Sequence, residues 1–260
     1  MDAWIDVYQD VRALSRGDSA VFITDNAVGA GEEENLSHLL KNVGGHVSPD
    51  LIVPFLTLKH SHEYCLNYAR RARRAGFPGL VILGGDAHDG VPRCLPHSWQ
   101  LREQIDKEHP SWLLGGWVNP FGDPVKQIGY LVEHQDSLDF VLTQIQSHHT
   151  LDPAARLLEQ AERQGLEAPL VAGVFYYRSA RRKTLRMLSH FIPVPEAEII
   201  ADFGERGLEA DQVAAQTVKA LLETGFRRFY ISNLASGRAR KHLSSIARLA
   251  GIDDPMERSR

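Results

Sequence analysis

Asp86 closes the run Gly79–Asp86 (GLVILGGD), an apolar stretch that ends in two glycines and a carboxylate. A carboxylate at the end of a buried strand can accept hydrogen bonds from a flat ligand or place negative charge beside it. Gly84 and Gly85 present no side chain to keep such a ligand from the backbone. An aspartate that only caps the following helix is the plainer reading of the same residues.

Other apolar runs end in comparable groups. One runs into Thr24-Asp25-Asn26 and the Gly29-Ala30-Gly31 turn, and another ends at Thr57, followed by Lys59, His60 and His62. Beyond Asp86 come His88 and Asp89; further on stand Gly115-Gly116-Trp117-Val118-Asn119-Pro120, Thr143-Gln144 with His148 and His149, Phe175-Tyr176-Tyr177-Arg178, and Ser232-Asn233. The set is polar, aromatic and rich in carboxamides. It contains no G-x-S-x-G elbow, Walker loop, G-x-G-x-x-G or H-E-x-x-H. His60 and His62 share one face of an extended segment and, with Asp86 and His88, offer ligands for a divalent ion. His148 and His149 are adjacent and point opposite ways if extended. Loop histidines in solvent account for all of these, so no resident metal is expected. Arg178, Arg181, Arg182, Lys183 and Arg186 form a basic cluster, read as a solvated helix face or as an anion site.

The elements that must position these residues follow one grammar. Short apolar strands are expected at Ala20–Thr24, Leu51–Leu58, Gly79–Leu83, Trp112–Val118, Leu138–Ile145, Pro169–Phe175 and Arg227–Ser232. Helices are expected between them: Ala3–Leu14, Glu32–Asn42, Glu63–Ala75, Asp152–Gln164, Ala210–Thr224 and Ala239–Ala250. Glu198–Phe203 reads as strand or helix. Alternation of this kind means a parallel sheet with right-handed crossovers, and a TIM-type (β/α)8 barrel is the expected fold. Such a barrel carries its active site at the C-terminal strand ends and needs eight strands. Seven are legible, so the barrel is expected to be atypical or incomplete at its first strand. One domain is expected over residues 1–260, with 252–260 frayed.

The 260 residues are 43% hydrophobic and 24% charged, with a net charge of −4. That balance argues against a nucleic-acid or membrane-surface binder. Two cysteines without CxxC spacing fit a reducing cytoplasm, no apolar run reaches roughly 18 residues, and the acidic start is unlike a signal peptide.

Taken in order, the strand-end motifs resemble the methylenetetrahydrofolate reductase family. The family's L-R-G-D is matched by Leu83-Gly84-Gly85-Asp86, its T-Q by Thr143-Gln144, its F-Y-T-L-N by Phe229-Tyr230-Ile231-Ser232-Asn233 and its P-H-L-T by Pro54-Phe55-Leu56-Thr57. Its T-Y-G-A-G turn is echoed from Thr24 to Gly31, with two extra residues. The resemblance covers roughly Ala20 to Gly251 and implies a barrel that passes hydride between NADH or NADPH and a tetrahydrofolate derivative through FAD. It implies that Asp86 and Gln144 are catalytic and read the pterin edge, with Phe203 and Asn233 also at the substrate. Thr24, Thr57, Gly84, Gly85, Asp86, His88, Trp117 and Lys126 are implied at the cofactor.

Departures from the family accompany the matches. The family's first strand, E-F-F-P-P, supplies a proton-donating Glu that this chain lacks; Asp25, His88 or solvent must take its place. The basic pair that holds the FAD phosphates falls near Val132 and Glu133, leaving Lys126 as the substitute. Flavin-free hydride transfer, a non-catalytic or partner-dependent folate- or flavin-binding subunit, and a metal-assisted barrel enzyme stand as alternatives, with a homo-oligomer or a partner subunit as the expected assembly.

Overall fold

In the computed structural model, strands form where short β-branched and aliphatic runs occur, and helices where one apolar face repeats. The structure describes residues 9–14, 19–24, 49–85, 90–235 and 237–257. The expected helix Glu32–Asn42 lies outside them. Seven strands are described: β1 (Val21–Ile23), β2 (Ile52–Thr57), β3 (Gly79–Leu83), β4 (Leu113–Val118), β5 (Phe140–Gln146), β6 (Leu170–Phe175) and β7 (Phe229–Ser232). They follow one another in the order β1-β2-β3-β4-β5-β6-β7. The pairs β1–β2, β2–β3, β3–β4, β5–β6 and β6–β7 are parallel. The helices are α1 (His62–Arg74), α2 (Ser98–Glu108), α3 (Pro124–Glu133), α4 (Asp152–Gln164), α5 (Arg182–Leu188), α6 (Glu196–Gly204), α7 (Ala210–Thr224) and α8 (Ala239–Ala250). Residues 9–14 are also helical.

The chain divides into two compact units. The first runs to Trp117 and takes in His134–Phe140; the second comprises Val118–Glu133 and Val141–Glu257. In the first, Ile52 and Leu56 of β2 and Leu80 and Ile82 of β3 pack on Tyr68, Ala69 and Ala72 of α1 and on Leu101 and Ile105 of α2. Val11 joins this core. Trp112 is 1% exposed and its indole Nε1 donates to the Phe77 carbonyl at 2.8 Å, so its polar edge is satisfied within the apolar cluster.

In the second unit, β5 departs from regular pairing. Leu142 sits opposite Val171, whereas Ile145 sits opposite Gly173, which leaves one extra residue on β5 at Thr143-Gln144. This bulge is pinned from both sides. Gly173 N–H donates to Thr143 Oγ1 at 3.0 Å, and the Tyr230 hydroxyl donates to the Thr143 carbonyl at 2.6 Å. A Cβ at Gly173 would collide with the Tyr230 phenol. Gly173→Ala is therefore expected to push Tyr230 off Thr143 and cost about 2 kcal/mol, within the overpacking range. Urea unfolding of wild type and variant measures this.

The tail differs from expectation. Asp254 Oδ1 accepts from Ser244 Oγ at 3.1 Å and from Met256 N–H at 2.8 Å, and Met256 is buried. Residues 252–257 are thus tied down by a side-chain turn and an apolar anchor rather than frayed.

Candidate functional site

Parallel strands place the residues after their C-terminal ends on one side of a sheet, and in the second unit those residues form two polar groups. The first group follows β5. Ser147–Thr150 is a turn, with Thr150 N–H donating to the Ser147 carbonyl at 2.9 Å and His149 N–H to Ser147 Oγ at 3.3 Å. Turning brings the two adjacent imidazoles to the same side, their ring centroids 3.9 Å apart. Both face Asp202 of α6, which is fully buried. His149 Nε2 lies 2.8 Å and His148 Nε2 3.3 Å from Asp202 Oδ2. The other carboxylate oxygen accepts from Arg206, one helical turn on.

Thr217 of α7 holds the ring of His148. Its Oγ1 donates to the Val213 carbonyl at 3.3 Å and lies 2.8 Å from His148 Nδ1. A hydroxyl has one proton: with it on the Val213 carbonyl, His148 Nδ1–H donates to Thr217, and with it turned to Nδ1, His148 carries its own proton on Nε2. Burial, then the neighbouring His149, pushes the His148 pKa below the ordinary imidazole value, while Asp202 pulls the other way. His148 Nε2 is buried and makes no hydrogen bond: the Asp202 oxygen is near it, but the alignment is not that of a bond.

A second group joins β6, α7 and α8. The Tyr176 hydroxyl donates to Asp211 Oδ1 at 2.9 Å and lies 3.0 Å from His242 Nδ1, which is itself 2.8 Å from Asp211 Oδ1. Burial pushes the Asp211 carboxyl up, but hydrogen bonds from Ser245, Tyr176 and His242 outweigh it and hold the pKa below the usual value. Burial and the same carboxylate raise the Tyr176 phenol, keeping it protonated. A depressed carboxylate stabilises the fold above its unfolded pKa, and that contribution disappears as pH falls through the folded value. The stability difference between wild type and Asp211→Asn is therefore expected to be full at neutral pH and to shrink below about pH 4. Urea midpoints across pH measure it.

The expected site residues fall as follows. Asp25, Asp86 and His88 lie outside the described residues. Thr57 is buried at the end of β2, Trp117 half-buried on β4, and Thr24, Lys126 and Asn233 exposed. Gln144 sits in the β5 bulge, where its Oε1 accepts from Ile145 N–H at 2.8 Å; this fixes the carboxamide and leaves Nε2 as a donor. Phe203 packs against the cluster of Tyr177, Leu185, Ile199 and Val213. Asn233 has φ 69°, and its Nδ2 donates to the Tyr176 carbonyl at 3.1 Å. The approach expected over Gly84 and Gly85 is taken up by this chain's own side chains. A Cβ on Gly84 would meet the Arg93 guanidinium and one on Gly85 the Lys59 stem. Arg93 donates to the Gly85 carbonyl, and Lys59 to that of Val91, both at 2.9 Å.

Two expectations about histidine need correction. His148 and His149 are not splayed, because their segment turns rather than extends. His62 starts α1, with its Nε2 2.7 Å from Gln104 Oε1 of α2, and stands as part of a helix–helix hydrogen bond. Of the basic cluster, Arg178 donates to the Asn233 and Leu234 carbonyls at 3.2 and 2.9 Å, and Arg186 lies 3.5 Å from Glu196.

The residues present do not fit the FAD pyrophosphate contacts that the resemblance implies. Val132 and Glu133 end α3, whose last turn carries no basic residue. A helix C-terminus and a carboxylate both repel a pyrophosphate. Lys126 stands seven residues before Glu133, about 10 Å back along the helix, and does not replace the missing pair.

No family model matches the chain, and no curated protein matches it. Among solved structures, dihydrodipicolinate synthase from Bacillus clausii aligns with TM-score 0.52 at 12% identity, covering 95% of this chain and 72% of its own. The fold is a TIM-type (β/α) barrel. Its seven described strands in sequential parallel order are one short of the full set. 2,3-Dimethylmalate lyase, a PEP mutase/isocitrate lyase superfamily member, aligns at TM-score 0.47 and 14% identity over 94% of this chain and 69% of its own. The aldolase QR15 aligns at 0.41 and 15% over 86% and 91%.

Proposed function

We propose that this barrel is an oxidoreductase that interconverts 5,10-methylene- and 5-methyl-tetrahydrofolate, exchanging hydride directly with NADH or NADPH. The observation that carries the reading is the coincidence of four ordered motifs with strand ends. Pro54–Thr57 closes β2, Leu83–Gly85 leaves β3, Thr143-Gln144 forms the β5 bulge, and Phe229–Asn233 spans and leaves β7. Strand C-terminal ends are where barrels of this type do chemistry. Bulges beside active sites re-aim side chains, and the β5 bulge carries the residue that the resemblance assigns to the pterin.

In this reading hydride leaves the dihydronicotinamide for the methylene carbon, the bond from that carbon to N10 breaks, and N10 takes a proton from Asp25, His88 or solvent. Asp86 accepts from the pterin's N–H edge, and Gln144 donates to it through Nε2. The lost phosphate contacts on α3 favour the flavin-free form. Gln144→Glu tests the role: it retains an oxygen for Ile145 N–H but replaces the Nε2 donor with a second acceptor. The expected result is at least a 10-fold rise in the KM for the folate substrate with the unfolding midpoint unchanged. An unaltered KM would contradict the assignment.

A further inference from the structure

Hydride exchange between a folate and a nicotinamide makes no use of the His148–His149–Asp202 cluster, so the cluster calls for its own account. One potential ligand atom from each of His148, His149 and Asp202 lies within 4.8 Å of the others, and the two Nε2 atoms stand 3.3 and 2.8 Å from Asp202 Oδ2. The carboxylate is fully buried, and the two imidazole side chains are 12% and 13% exposed. A hydrogen-bonded network alone explains His149, which sits at 2.8 Å from Asp202 Oδ2. It does not explain His148. Its Nε2 is buried without a hydrogen bond 3.3 Å from Asp202 Oδ2, unsatisfied whether it carries a lone pair or a proton. In the Nδ1–H tautomer both atoms are acceptors, and two acceptors held that close in a desolvated place repel unless a positive centre lies between them.

We infer that His148 Nε2, His149 Nε2 and Asp202 Oδ2 form a mononuclear site for a divalent transition-metal ion of the zinc class. Ligands at about 2.0–2.2 Å around a tetrahedral ion stand about 3.3–3.6 Å apart, and His148 Nε2 and Asp202 Oδ2, at 3.3 Å, are at the short end of that range. His149 needs to retreat from Asp202 by about half an ångström to join them. Imidazole and carboxylate without thiolate suit zinc, iron(II), cobalt or manganese rather than copper(I). Outer contacts of the kind metal sites use are already present: Thr217 holds the His148 ring through Nδ1, and Arg206 takes the carboxylate oxygen that the metal does not need. Three protein ligands leave at least one coordination position for water or a ligand oxygen.

The test uses the full-length chain, tag-free and treated with chelator, titrated with Co2+ and with Zn2+. One equivalent of Co2+ is expected to bind and to develop visible ligand-field bands, which one equivalent of Zn2+ then erases. His148→Ala and His149→Ala should each lower affinity at least 10-fold, and Thr217→Val, which leaves every ligand in place, about 10-fold. His190→Ala, an exposed histidine elsewhere in the same unit, should leave it unchanged. Failure of the wild-type chain to bind a stoichiometric ion overturns the inference, whatever the variants do. So does binding that survives in both His148→Ala and His149→Ala. Because the readout is metal occupancy, its failure leaves the hydride-transfer reading standing, and loss of reductase activity leaves the metal site standing.

Discussion

Asp202→Ala is expected to cost the metal-free chain about 3 kcal/mol, at the low end of what breaking a buried ion pair costs. Asp202 has no solvent contact, yet it receives His149 on one oxygen and Arg206 on the other. Removing it strands His149 Nε2 inside the protein, and a buried donor without an acceptor costs about 1–3 kcal/mol by itself. Arg206 is half-exposed and can turn to water, which is why the larger figures for fully buried pairs do not apply. Asp202→Asn preserves shape and one acceptor oxygen, so it should lose about 1 kcal/mol less. Urea unfolding in the presence of chelator measures both. Equal stability of wild type and Asp202→Ala would mean that α6 and the turn after β5 are not held together by this carboxylate.

Asp86→Ala should lower kcat/KM for the folate substrate about 100-fold, because hydrogen bonds to a charged acceptor are worth about 1.5–3 kcal/mol. The motif leaves β3 at Leu83, and strand C-termini are where barrels of this type do chemistry; Asp86 itself lies outside the described residues. On the proposed reading, Asp86→Asn offers a donor to the pterin's own donors in place of one acceptor oxygen and should be nearly as damaging. Steady-state kinetics with 5,10-methylene-tetrahydrofolate as varied substrate decide it. Full activity in Asp86→Ala would detach the resemblance from the chemistry.

How much of this was legible depended on the range of the interaction. Helices α4, α7 and α8 match their sequence readings residue for residue, because local signals mark both ends. Asp152-Pro153 opens α4, and Gly165 and Gly251 close α4 and α8 in the left-handed conformation that glycine tolerates. The same Asp-Pro signal at Asp123-Pro124 opens α3, where Asp123 Oδ1 accepts from Val125 N–H at 3.0 Å, but the sequence reading passed over it. Helix α2 begins at a histidine cap, His97, whose N–H is held by Gln100; no common capping residue announces it. Glu198–Phe203 lies within the helix α6 because its apolar residues pack as one face against Tyr177 and Leu185. Strand β5 ends at Gln146, one residue later than its reading, beyond the bulge that supplies the extra residue.

The candidate metal cluster was not legible as a unit. His148 and His149 stood out, but adjacency alone suggested opposite directions, and only the Ser147–Thr150 turn reverses that. Asp202 lies more than fifty residues on, and its one local signal is a lone acid among Ile199, Ile200, Ala201 and Phe203. A buried carboxylate in such company needs cationic or donor partners, which is the property that could have flagged it.

The most direct test is anaerobic turnover by the purified, flavin-stripped chain given NADH or NADPH and 5,10-methylene-tetrahydrofolate, with no flavin added. The account predicts oxidation of the nicotinamide that requires the folate and yields one 5-methyl-tetrahydrofolate per nicotinamide oxidised. No folate-dependent oxidation, or oxidation that begins only when FAD is supplied, would contradict it.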